Sequence, residues 1–248
     1  MGPEQATFVQ LIGSLNSQSK QNARVLEIGS YDVNGSIRSL FKEVKEYIGI
    51  DLCAGPGVDL VANAHDLKNL NLGKFEVIIS CETLEHDPNW RLTVKNLVES
   101  LSDDGVLIVT CATTLRPEHG TPRTSVHESP GTTTMGWDHY QNVSVSEFKD
   151  YLDSLGISTV YKVWENKKIF DLYCVAVPST SAYNGFTFPS DEDMENVFEL
   201  TPFFFVVLRW PIRIVSKLFG IKCAEKFGLN YWNFLTRRFA GHIRSNSN

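Results

Sequence analysis

Apolar residues recur along the chain at two different periods, and the changes of period mark its elements. Phe8, Leu11, Ile12 and Leu15 fall at helical spacing, which predicts a helix over about residues 4–16. Arg24–Ile28 is a short apolar run that stops at Gly29; a polar loop, Gly35, and then Ile37, Leu40 and Phe41 at helical spacing follow. This stretch reads as strand, tight turn, helix. "EYIGID" (46–51) reads as a second strand ending on an acid, "AGPG" (54–57) as a turn and "VDLVA" (58–62) as a short third strand. "FEVIISC" (75–81) is a nearly unbroken apolar run, as expected of a strand buried on both faces of a parallel sheet. Asp87-Pro88 has the form of an N-cap followed by proline at the first helical position. Trp90, Val94, Leu97, Val98 and Leu101 then make one helical stripe, Asp104-Gly105 closes it, and "VLIVTCA" (106–112) is the fifth strand. "SVSEFKDYLDSLG" (144–156) is a helix capped by serine and ended by glycine. "TVYKVWE" (159–165) and "FDLYCVAV" (170–177) form an antiparallel hairpin across "NKK". Strands alternating with helices predict an α/β fold with a mainly parallel sheet.

Two stretches break the alternation. Residues 113–145 are rich in Pro, Gly, Thr and Ser, have no period, and carry His119, His127 and His139. A loop of that length inside a compact domain is a candidate functional element. The last fifth of the chain, residues 201–248, is aromatic and basic. In "TPFFFVVLRWPIRIVSKLFGI" (201–221), Arg209, Arg213 and Lys217 recur every four residues, so a helix would gather them on one face, with Pro211 kinking it or starting a second helix. "YWNFLTRRF" (231–239) repeats the mixture. The division expected is a domain over residues 1–180 and a helical tail over 181–248.

Charge sharpens that division. The 248 residues carry a net charge of −6, but residues 201–248 hold eight Lys or Arg against Glu225 alone, +7, which leaves −13 for residues 1–200. An acidic main body is a poor field for nucleic-acid phosphates, so a nucleic-acid substrate is not expected. Three basic residues in about twenty argue against a membrane span for 201–221 and for a helix lying at a membrane surface; packing on the main domain or a dimer contact is the competing expectation. Five scattered cysteines with no CxxC pair read as free thiols of a reducing compartment. No secretory signal pattern opens the sequence, so a cytoplasmic protein is expected, placed by its tail at the inner face of a membrane.

The strand ends carry the candidate chemistry, because ligands of open α/β sheets sit beyond the carboxyl ends of the strands. Strand one ends at Glu27-Ile28-Gly29, strand two at Asp51, strand three leads to His65-Asp66, and strand four ends at Cys81-Glu82. An acid after strand two suits the two hydroxyls of a ribose, and one after strand three can accept from an adenine amine. The turn after Gly29, "SYDVNG", lacks a glycine-rich anion cradle and places an acid where a pyrophosphate would approach. A ligand with ribose and adenine but no phosphate fits better, and S-adenosylmethionine is one.

With these residues in view, positions 22–178 resemble the class I S-adenosylmethionine-dependent methyltransferases. "VLEIGSYDVNG" is similar to their first motif, "YIGIDL" to the second, "NAHDL" to the third, "VIISCETLEH" to the fourth, and "LSDDGVLIVT" to the end of their fourth helix and fifth strand. The resemblance implies a Rossmann-like, doubly wound seven-stranded sheet of order 3-2-1-4-5-7-6 with strand seven antiparallel, followed here by a C-terminal helical tail. It implies Asp51 at the ribose, Asp66 at the adenine amine and Gly29 with its neighbours at the methionine end. Glu27, Ser30, Tyr31, Leu52, His65, Cys81 and Glu82 complete the expected cofactor contacts. One departure stands out: the family's further glycines would fall at Tyr31 and Val33, whereas this chain has Gly35.

The activity expected is O-methylation of a sugar hydroxyl in surface polysaccharide or glycan biosynthesis. A small-molecule or lipid-quinone methyltransferase, or a non-catalytic cofactor-binding scaffold, are the alternatives. A hydroxyl acceptor needs a group that takes its proton, and His139, His86 and His119 are the candidates. His139 stands in "GWDHY" (136–140), where Trp137 and Tyr140 offer flat faces to a sugar. The favoured reading of Glu85-His86 is a packing and capping element after strand four. No HxH or HxxxH spacing occurs, so no metal site is expected.

Overall fold

A computed structural model describes residues 2–16, 22–179 and 185–245, with side chains as far as Leu235. Seven strands form one sheet: β1 (Arg24–Ile28), β2 (Glu46–Asp51), β3 (Leu60–Val61), β4 (Phe75–Cys81), β5 (Leu101–Ala112), β6 (Thr159–Asn166) and β7 (Asp171–Pro178). Their order is β3-β2-β1-β4-β5-β7-β6, and β7 runs antiparallel between β5 and β6, as the family resemblance implies.

Alternate side chains of the central strands enter two different cores, which is why their sequences read as unbroken apolar runs. Leu26, Ile78, Leu107 and Val109 join Trp90, Val94 and Leu97 of α2 (Trp90–Glu99) and Phe148 and Leu152 of α4 (Val145–Ser154) on one face. Val25, Val77, Ile79 and Ile108 join Phe8, Val9 and Ile12 of α1 (Pro3–Leu15) on the other. Met194 and Val197 of α5 (Asp191–Glu199) belong to that second core, so the chain beyond residue 180 first completes the main domain.

Several local expectations change. No α-helix follows Gly35; a single 3-10 turn, Arg38–Leu40, stands there. Ile37 and Phe41 reach the core from that turn, and Arg38 is drawn out to the Gly57 carbonyl and the Asp59 carboxylate. Helix α2 begins at Trp90, because Asp87 folds its carboxylate onto the Asn89 N–H and the Thr93 hydroxyl. It ends at Glu99, and β5 starts at Leu101, paired with Phe75, so Asp104-Gly105 lies within the strand. The edge strand β3 keeps two residues of the expected five. Within residues 113–145 the structure has one 3-10 turn, Val126–Glu128, and one short helix, α3 (Pro130–Thr134).

The tail continues as α6 (Phe203–Phe219) and α7 (Ile221–Ser245), which pack on each other and on the main domain. Helix α6 runs through Pro211, and the break comes at Gly220. The expected basic face is turned differently from its prediction. Arg209 is buried, and Arg213 donates to the carbonyls of Lys167 and Lys168 at 2.7 and 2.8 Å. The face left outward is apolar: Phe203, Val207, Trp210, Ile214 and Leu218 are exposed. Among the described residues, no helix is long and apolar enough to cross a membrane.

Candidate active site

The ends of β1, β2 and β4 open into a cleft of about 760 Å³. Gly29 turns the chain away from β1 with φ +75°, and a Cβ there would lie 1.9 Å from Thr83 Oγ1, so only glycine fits this turn. Where the family has further glycines, this turn is held by the Asp32 side chain, whose Oδ1 accepts the Gly35 N–H at 2.8 Å, and by a backbone bond from the Asp32 N–H to the Pro56 carbonyl at 2.8 Å.

Asp51 closes β2 with both oxygens oriented, Oδ2 accepting the Tyr31 N–H at 3.1 Å and Oδ1 the Leu52 N–H at 2.7 Å. Each oxygen keeps a lone pair for a further donor. Burial raises the Asp51 pKa. Gly131 of α3 closes over this carboxylate; a Cβ there would come within 2.5 Å of Oδ1. The long loop therefore walls the Asp51 corner of the cleft.

Glu27, buried under the turn, accepts the Tyr47 hydroxyl at 2.7 Å, and burial pushes its pKa up to about 7. Ser30 Oγ is buried without a hydrogen-bond partner. A tight glycine turn, an orphaned hydroxyl, an oriented carboxylate and a buried acid are the donor set that a nucleoside bearing an amino-acid chain requires, so S-adenosylmethionine fits. Glu27 would be the carboxylate that holds the ammonium of that chain, and a pH signature would follow. Below pH 7 the free protein holds Glu27 protonated, so binding must expel a proton. Cofactor affinity should rise up to about tenfold per pH unit from pH 5.5 to 7 and then level off. The sign for stability is opposite. The folded pKa lies above the unfolded one, so the cofactor-free protein should lose stability as pH rises from 4.5 to 7. Calorimetric titration with S-adenosylmethionine across that range checks the first trend, and Glu27→Gln should abolish it.

Glu27, Gly29, Ser30 and Tyr31 line the cleft, as do Asp51, Leu52, Cys81 and Glu82. His65 and Asp66 do not; Asn63 and Ala64 occupy the wall where they were expected. The Asp66 carboxylate is 58% exposed, and the His65 ring stacks on Trp137 with centroids 6.3 Å apart. The 3-10 segment Ala64–Leu70, capped by Asn63, turns both side chains off the wall.

At the other end of the cleft stand two of the three candidate histidines. His86 and His119 line it, and their rings meet each other and Tyr140 edge-on at 5.2–5.4 Å. His139 does not line it; it lies behind, near His86 and Asp87. Its neighbour Asp138 pairs with Arg123. Burial lowers the His86 pKa to about 4 and holds that of His119 well below the usual value, so both rings are neutral.

Beneath them runs a buried charge network that the sequence did not announce. Arg116 Nη1 meets Asp171 Oδ1 at 2.5 Å, and Arg116 Nη2 lies 3.7 Å from Glu82 Oε2. Glu82 also accepts the Thr110 hydroxyl at 3.1 Å from a backbone with φ +55°, an uncommon conformation for a residue with a Cβ. Burial pushes Asp171 up to about 8, and burial with Arg116 beside it brings Arg209 down to about 9. Arg209 is held between the rings of Phe205 and Trp232, so the tail supplies part of the cleft wall.

Fold, strand-end acids and glycine turn together define a class I methyltransferase. Residues 5–161 match the family described as a methyltransferase domain, and the chain belongs to that family. It is an S-adenosylmethionine-dependent methyltransferase, and the family leaves its acceptor open. A solved S-adenosylmethionine-dependent methyltransferase from Clostridium acetobutylicum ATCC 824 is similar over 72% of this chain and 92% of its own, with 10% identity and a TM-score of 0.50. The Burkholderia thailandensis 1,6-didemethyltoxoflavin-N1-methyltransferase, solved with 1,6-didemethyltoxoflavin and S-adenosylhomocysteine, covers 69% of this chain and 78% of its own at 15% identity and a TM-score of 0.46. Some other matched chains are longer, and this chain spans 48–56% of them. Among curated proteins no sequence matches.

Proposed function

We propose that this methyltransferase acts on a hydroxyl of a saccharide carried on a lipid, at a membrane surface, as a step in glycan assembly. The observation that supports this reading is the asymmetry of the cleft. Gly29, Glu27 and Asp51 make a polar, backbone-rich end for the cofactor. The other end presents His86, His119 and the aromatic rings of Phe205 and Trp232, flat faces on which a sugar ring stacks. S-adenosylmethionine, when bound, supplies an electrophilic methyl carbon whose bond to sulfur breaks as the acceptor oxygen bonds to it. The protein holds the two partners in line and takes up the hydroxyl proton. The neutral imidazoles of His86 and His119 are the groups placed to orient that hydroxyl.

The outward stripe of α6 supports the membrane part. Phe203, Val207, Trp210, Ile214 and Leu218 are exposed together, while Lys217, Lys222 and Lys226 remain free to meet anionic headgroups. With Arg209 turned into the cleft from the same helix, the stripe borders the acceptor end. Full-length protein should sediment with anionic vesicles, and Trp210→Glu with Leu218→Glu should leave it in the supernatant with its melting temperature unchanged. Vesicle binding that survives both changes would remove α6 from the interface.

The same stripe would serve a lipid quinone, the second reading. A methyl-transfer screen with labelled S-adenosylmethionine against lipid-linked sugars, polysaccharide fragments, quinone precursors and tRNA separates them. Label in a lipid-linked sugar is the expected result. Label only in a quinone precursor overturns the saccharide, and failure to bind S-adenosylmethionine at all returns the chain to a scaffold role.

A further inference from the structure

At the acceptor end the carboxylate behind His86 is poorly satisfied. Glu85 is fully buried, its Oε1 accepts the Ala112 N–H at 3.3 Å, and its Oε2 has no hydrogen-bond partner among the described residues. His86 Nδ1 is likewise buried without a partner. Unpaired polar atoms in a dry site are costly unless something satisfies them. They call for a ligand.

We propose that Glu85, His86 and His119 form a binding site for a first-row divalent transition cation, zinc foremost, at the acceptor end of the cleft. One ligand-type atom from each residue lies within 4.8 Å of the other two, and His119 Nε2 is 3.8 Å from Glu85 Oε1. Nitrogen and oxygen ligands sit about 2.0–2.2 Å from zinc, so binding draws the trio in by roughly an ångström. His119 is already set for this. Its Nδ1 lies 3.2 Å from the Pro117 carbonyl, to which it can donate, leaving Nε2 unprotonated toward Glu85. A backbone carbonyl on the far nitrogen is the usual support of a metal-bound imidazole. Gly120 lets the loop close on the site, since a Cβ there would lie 2.8 Å from His86 Cε1.

The groups that bear on the trio are Glu82 and Asp171, the guanidiniums of Arg116 and Arg209, the Tyr140 phenol and the His139 imidazole. Two imidazoles and one carboxylate favour a transition cation over magnesium or calcium, which prefer all-oxygen sites. His86 and His119 line the cleft and Glu85 stands behind them, so the open coordination position faces the acceptor. If the methyl-transfer reading holds, a hydroxyl there would have its pKa lowered by the cation, and the imidazoles would act through the metal.

The test uses the full, untagged chain dialysed against Zn²⁺, Mn²⁺, Co²⁺ or Mg²⁺, with bound metal measured by mass spectrometry and the visible spectrum recorded for Co²⁺. S-adenosylmethionine binding and the melting curve are measured on the same samples. The expected result is one Zn²⁺ or Co²⁺ per chain, with affinity falling at least about 100-fold in His119→Ala and in Glu85→Gln. A cooperatively melting wild-type chain that takes up no transition cation overturns the site, as does uptake of Mg²⁺ alone. Wild-type affinity in both variants also overturns it, by moving the metal to other ligands such as the exposed Cys223. Metal uptake without S-adenosylmethionine binding leaves the site standing and defeats the methyl-transfer reading instead.

Discussion

Asp51→Ala should lower affinity for S-adenosylmethionine by about 30- to 900-fold, with the fold retained. The estimate rests on two hydrogen bonds from a ribose to a buried carboxylate, together on the order of 2–4 kcal/mol. Both oxygens are already aimed by the Tyr31 and Leu52 N–H groups, so little is spent on ordering the side chain when the ligand arrives. Burial alone would cost the carboxylate, as its raised pKa records, and a bound diol repays that cost. Asp51→Asn should fall between wild type and alanine, since one acceptor oxygen remains. Titration calorimetry with S-adenosylmethionine and S-adenosylhomocysteine reads the effect, and a melting curve guards against simple unfolding. Unchanged affinity in a folded Asp51→Ala protein would place the ribose elsewhere.

The second large effect lies at the other end of the cleft. His119→Ala and His86→Ala should each lower turnover by about 10²- to 10⁴-fold while the dissociation constant for S-adenosylmethionine stays within about threefold. His139→Ala should cost less than about tenfold, because its ring stands behind His86 and does not reach the cleft. Single-turnover assays with the acceptor found by the screen would separate the three. A large loss at His139 with normal turnover at His119 would reverse this placement of the acceptor. His86 is buried, so its variant needs the melting curve as well; His119, on the loop, can be removed with less disturbance to the core.

Parts of this site were legible one segment at a time. Gly29 and Asp51 stand where an apolar run stops, and a strand end in a parallel sheet is a ligand position whatever the rest of the chain does. Asp66 obeyed the same local rule and still left the cleft wall. Its segment wound into a 3-10 turn, and a turn of that kind rotates a side chain by about 120° per residue. The charged cluster under the cleft was not legible at all. Arg116, Asp171, Glu85 and Arg209 come from a loop, a strand start, a turn and the tail, and no spacing rule joins them.

The tail shows the same division. Its amphipathic pattern was read correctly as a helix with a basic and an apolar side, and the pattern carried no information about which side would face the protein. Buried acids at Glu4 and Asp171 and the free carbonyls of Lys167 and Lys168 attract Arg209 and Arg213 inward. That leaves Trp210 and Leu218 to the outside, against the usual rule for a helix packed on a domain.

By itself the sequence determined the strands, the main helices, and the glycine and acids at the strand ends, while the order of the strands came from the family resemblance. The local elements follow from short-range patterns: strand residues alternate, helix residues recur every three to four, and a turn needs its glycine. Only the tertiary structure decided that His119 meets Glu85 and His86, that Gly131 roofs Asp51, and that Phe205, Arg209 and Trp232 of the tail wall the cleft. Each is a meeting of segments far apart in sequence, set by which loop closes on which strand end. Such contacts arise from three-dimensional packing and charge balance, and no period along the chain records them.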